Sequence, residues 1–109
     1  MANVKKVNPA VKIELGGVER EFTLDFGVLC RIEELTGKNA LTGELFQKMS
    51  ANILVIILYA GLSENDPSLT RESVGKLLNF SDIPRVTEAI GAALKQAQAD
   101  NDTGSAKKK

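Results

Sequence analysis

The chain has 109 residues, 43% of them apolar, with 14 Lys and Arg against 14 Asp and Glu, a single Cys and no His or Trp. One domain around one core is the expectation at this length, and the residue types present exclude an intrachain disulfide, the usual zinc spacings and His-based catalysis. The balanced charge hides two unlike parts: without Lys107, Lys108 and Lys109 the chain holds 11 basic and 14 acidic groups, a net of −3.

Residues 1–9 are polar and aperiodic, lack the apolar stretch of a signal peptide, and read as a flexible N-terminus. From Val11 to Leu15 apolar residues alternate with Lys12 and Glu14, the period of a strand with one wet face. Gly16-Gly17 suits the positive φ angles of a two-residue hairpin turn. The return strand sets Val18, Phe22, Leu24 and Phe26 against Glu19, Glu21, Thr23 and Asp25, with Arg20 interrupting the apolar face. A lone hairpin is marginal in water, so its apolar side has to rest on another element.

The period then changes. Val28, Leu29, Ile32 and Leu35 share one helical face, with Arg31, Glu33 and Glu34 opposite and Gly37 as the left-handed stop. A short helix is expected from Thr42, as N-cap, to Met49. Ser50 caps a third helix, Ala51 to Leu62, which is apolar nearly all round yet far short of the ~20 residues of a membrane span. Asn65-Asp66-Pro67 marks a loop, Thr70 caps a fourth helix carrying Val74, Leu77 and Leu78, and Asn79-Phe80-Ser81 forms a break. The fifth helix starts near Ser81 or Asp82, because Pro84 is tolerated only in a first turn, and carries Ile83, Val86, Ile90, Leu94 and Ala97 on one stripe. The fold class is therefore α+β, an N-terminal hairpin followed by four to five short helices. The single domain spans residues 10–99, with a disordered, basic-ended tail over 100–109.

Few residues invite chemistry. Cys30 has no His to activate it and reads as a small packing residue. Glu33 and Glu34 point apart on their helix and read as a solvated face rather than as an acid–base pair. Gly16-Gly17 leads into a strand, not into the helix a phosphate loop requires. Thr70 to Ile90 outlines a helix-turn-helix, but its second helix would offer Asp82, Arg85, Thr87 and Glu88 to a groove, two acids against one base. The Ile53 to Leu62 segment is central core on the plainest reading. It is also a candidate partner-binding strip, drawn from Ile53, Ile56, Ile57, Tyr59 and Leu62, for a client or for a second copy of the chain.

The ordered set of these segments resembles one family. Phe22 through Lys38 reads F-T-L-D-F-G-V-L-C-R-I-E-E-L-T-G-K, similar to the F-x-F-x-x-L-x-x-L-E-E-L-T-G-K stretch of the tail assembly chaperones of long-tailed bacteriophages and of related gene-transfer-agent tail proteins. Leu58-Tyr59-Ala60-Gly61-Leu62 resembles their L-W/Y-A-G-L segment, and Leu69 through Leu78 their L-T-x-E-E-V-G-x-L-L. The likeness covers roughly Val11 to Leu94, with Gly27 and Ser73 standing where a more helix-favouring residue is expected. It implies a non-enzymatic cytoplasmic factor in the bacterial host, absent from the finished virion. Such a factor binds the tape measure protein, helps recruit tail tube subunits, and has no cofactor, nucleic-acid or membrane partner. Two other readings are a small DNA-binding regulator using Thr70 to Ile90 and a structural tail-completion protein.

Overall fold

Alternation in the first strand gives β1 (Ala10–Leu15), which pairs antiparallel with β2 (Val18–Thr23) across a turn in which Gly16 and Gly17 both take positive φ, 65° and 78°. The computed structural model describes the backbone of residues 10–108 and the side chains of residues 11–97. The expected flexible segment 1–9 lies outside these residues, as do the side chains of the expected tail, 100–109. Register places Val11 opposite Phe22, Ile13 opposite Arg20 and Leu15 opposite Val18, so one face carries nearly all the apolar residues. Ile13, Leu15 and Phe22 are buried, whereas Val18 at the turn is 52% exposed.

β2 ends earlier than the alternation suggests. Asp25 belongs to the next element, accepting the Val28 N–H at 2.9 Å as N-cap of α1 (Phe26–Thr36). Phe26 is thereby turned out of the core and is 61% exposed, because the first residue of a capped helix no longer follows the period of the strand before it. Val28 and Ile32 are the buried residues of α1, and Gly37 closes it at φ 71°, donating its N–H to the Glu33 carbonyl at 2.7 Å. The second helix is shorter than expected. Gly43, at φ 84°, is its N-cap, and α2 runs only Glu44–Gln47, with Leu45 its buried residue. Thr42 makes no more than a 3.4 Å contact from its hydroxyl to the Glu44 N–H.

Helix α3 (Ala51–Leu62) begins at Ser50, whose hydroxyl accepts the Ile53 N–H at 3.2 Å. It is the centre of the molecule, packed against α1, β2 and the fourth helix. Seven of its residues are buried, which accounts for a segment without a polar face. Its C-terminal end lies so close to the hairpin that a Cβ at Gly61 would come within 2.8 Å of three ring carbons of Phe22.

Helix α4 (Arg71–Leu77) starts with a reciprocal cap: the Thr70 hydroxyl accepts the Ser73 N–H at 3.0 Å and the Ser73 hydroxyl accepts the Thr70 N–H at 2.9 Å. Ser73, unexpected as a helix former, thus does the work that Glu does in the usual capping box. A 3-10 turn (Phe80–Asp82) follows and runs into α5 (Ile83–Lys108). Val86, Ile90 and Ala93 are the buried stripe of α5, and this helix covers β1. The hairpin therefore rests on α3 and α5 of its own chain, which gives it the support that an isolated pair of strands lacks. The described fold is α+β, a two-stranded antiparallel hairpin followed by five helices.

Candidate functional site

The five residues expected to form one apolar strip do not lie on one exposed surface. Ile56, Ile57 and Leu62 are 2%, 0% and 1% exposed, so they belong to the core. Tyr59 is half-buried against that core. Ile53, also half-buried, lines a cleft of about 400 Å³ with Lys38, Asn39, Glu44, Leu45 and Lys48. The reason is geometric: a helix at the centre of a small domain gives most of its circumference to its own neighbours.

The exposed apolar surface is elsewhere. Phe80, on the 3-10 turn, is 96% exposed and stands at the rim of a cleft of about 380 Å³. The lining comes from the start of α3 (Ala51, Leu54, Val55), the end of α4 (Gly75, Leu78) and the start of α5 (Ile83). Each element contributes for a local reason. Ser50 starts α3 at this end, Leu78 takes an extended conformation (ψ 136°) that ends α4, and the chain must then re-enter a helix at once. Asn79 makes that possible, its N–H donating to the Asp82 carboxylate at 3.0 Å, and the reversal leaves Phe80 without a neighbour to cover it. A Cβ added at Gly75 would lie 4.0 Å from Val55, so a longer side chain there would begin to fill the cleft. An aromatic ring held out at the rim of an apolar hollow can engage the apolar side of a partner.

The polar residues bind the fold together. Arg31 donates to the Ser63 hydroxyl at 3.1 Å and lies 3.7 Å from Glu64, tying α1 to the end of α3. Glu33 accepts the Ala40 N–H at 2.9 Å, so it anchors the loop after α1 rather than facing solvent alone. Cys30 is exposed, not packed as expected, because it falls just outside the face that carries Val28 and Ile32. Arg85, the one base of the supposed recognition helix, is already engaged at 2.7 Å by the Asp82 carboxylate and at 2.7 Å by the Glu14 carbonyl. That leaves little there to neutralise a phosphate. Among the described residues no group of three or more His, Cys, Asp or Glu could hold a metal ion, and no helix is long and apolar enough to cross a membrane.

Asp66 carries the one resolved shift in acidity among the described residues. The Ser68 hydroxyl, donating at 2.7 Å, holds its carboxyl below the ordinary 3.8 against desolvation, helped by the Ser68 N–H and by Arg20, 3.6 Å away. A carboxyl depressed in the fold contributes stability above its unfolded pKa, and that contribution disappears as pH falls through the lower folded value. Urea midpoints of the parent chain should therefore drop below about pH 4 by more than those of Asp66→Asn, which has no proton to take up at this position.

Comparison with known proteins adds no relative: no family model matches the chain, and neither the characterised proteins nor the solved structures give a match.

Proposed function

We propose that this chain is a non-enzymatic tail assembly chaperone of the long-tailed bacteriophage kind, which binds the tape measure protein and helps recruit tail tube subunits in the host cytoplasm. The family reading rests on the ordered likeness from Phe22 to Leu78. The observation that carries the binding role is Phe80, 96% exposed beside an apolar cleft. Burying such a ring against a partner is favourable. The occupant is the apolar side of an amphipathic client helix, laid into the cleft between α3, α4 and α5 with Phe80 packed along it.

Co-expression with the tape measure protein from the same genome tests this reading. The client's soluble fraction is expected to rise with the parent chain, and no rise over the client alone would overturn the proposal. Phe80→Asp should abolish most of the gain, since an aromatic anchor buried on binding is worth about 2 kcal/mol, or about 30-fold in affinity. Its own thermal unfolding should stay close to the parent's, because a residue this exposed contributes within about 0.5 kcal/mol to the fold.

A further inference from the structure

Gly75 stands in the interior of α4, and the fold does not require it. It is exposed, it is not one of the glycines with positive φ, and an added Cβ would meet nothing closer than the Val55 Cγ2 at 4.0 Å. Apart from proline, glycine is the least favourable residue inside a helix, so this position carries a cost that packing does not call for. What Gly75 does shape is the cleft beside Phe80. It lines the α4 wall, and Val55 lines the α3 wall across from it. An alanine methyl would stand in van der Waals contact with Val55 and bridge the two helices, closing the gap between them. The rest of the lining, with Leu54, Leu78 and Ile83, carries no charged group.

We propose that Gly75 is the specificity-determining residue of this cleft, a role that rests on the cleft being the client site. By leaving the gap to Val55 open, it admits one bulky apolar side chain, of the size of Leu, Met or Phe, from the apolar side of the client helix. Charge is rejected because the lining offers no opposite charge to pair with it, and an unpaired charge taken out of water is costly. Small residues are disfavoured for a different reason. A client face of Ala and Gly would leave the gap unfilled, and the atoms around a void lose their contacts on that side. The client class is therefore an amphipathic helix with a bulky apolar residue at the middle of its contact face. Helix stability given up at Gly75 is exchanged for depth in the cleft.

The test is a competition. The parent chain and Gly75→Ala are co-expressed with the tape measure protein from the same genome, and their ratio in the complex purified through that client is read by mass spectrometry. The parent is expected in about tenfold excess, the usual effect of one methyl group too many in an apolar pocket. Alone, Gly75→Ala should melt about 4 °C above the parent, since alanine replaces glycine inside a helix, so its exclusion would not come from a weakened fold. Gly91→Ala is the control, an exposed glycine of α5 outside this cleft with open space at its Cβ. It should also melt higher, yet enter the complex as the parent does. A ratio near one for Gly75→Ala overturns the inference and leaves the chaperone reading standing, as does equal exclusion of Gly91→Ala. A Gly75→Ala chain that melts below the parent overturns it too, by showing that the fold does need this glycine. A client that retains neither chain overturns both the inference and the reading beneath it.

Discussion

Replacing Phe22 with alanine is expected to cost about 3–5 kcal/mol of stability, a large part of the roughly 5–15 kcal/mol that holds a domain of this size together. The ring is wholly buried between the hairpin and the C-terminal end of α3, and it is the largest of the fully buried side chains. Two losses add. The ring's transfer out of water is forfeited, and the hollow left behind is bounded by elements pinned elsewhere, β2 by its pairing with β1 and α3 by its contacts with α1 and α4. Urea unfolding followed by circular dichroism should show a much lower midpoint at an unchanged slope, the sign of lost stability rather than of an altered unfolded state. A loss under 1 kcal/mol would mean that the hairpin does not pack on α3 as described.

Gly61→Ala removes nothing and should still be costly. The added methyl would fall within 2.8 Å of the Phe22 Cδ1, Cε1 and Cζ atoms, so either the ring or the helix has to move. Overpacking of this kind costs about 1–3 kcal/mol and occasionally more, which outweighs the roughly 1 kcal/mol that helix propensity would return for replacing glycine. Because the cost comes from one contact, it should vanish when the contact is relaxed. In a Phe22→Leu background the same Gly61→Ala change should be milder, and the double-mutant cycle should give a coupling of about 0.5–3 kcal/mol. Additivity of the two changes would count against a direct clash.

The hairpin, the caps at Ser50 and Thr70 and the stripe of α5 were legible because each rests on chemistry within a few residues: alternation, a turn with positive φ, a hydroxyl facing an open N–H. Residues whose roles depend on distant partners were not. Nothing near Arg85 in the chain points to the Glu14 carbonyl, and nothing near Glu33 except the spacing to Ala40 points to that N–H. The binding strip failed for a related reason. Apolar periodicity reports that a side chain prefers to leave water, not whether its own chain or another one covers it, so Ile57 in the core and Phe80 on the surface look alike in sequence. One local signal for Phe80 did exist: a large aromatic placed in a polar break, off the stripes of both flanking helices. Phe26 was misplaced because Asp25 fits either an alternating strand or a helix cap, and the cap prevailed once its oxygen met the Val28 N–H.

The closure of β1 by α5 also bears on the order in which the chain can fold. Glu14 and Arg85 are 71 residues apart, so the apolar side of the first strand stays uncovered until nearly the whole described domain has been synthesised. The helices and the hairpin turn can form early from local contacts, while the docking of β1 on α5 waits on a long loop to close. During translation, then, β2 can find cover as soon as α3 has formed, and the arrival of α5 is the event that ends the exposure of β1.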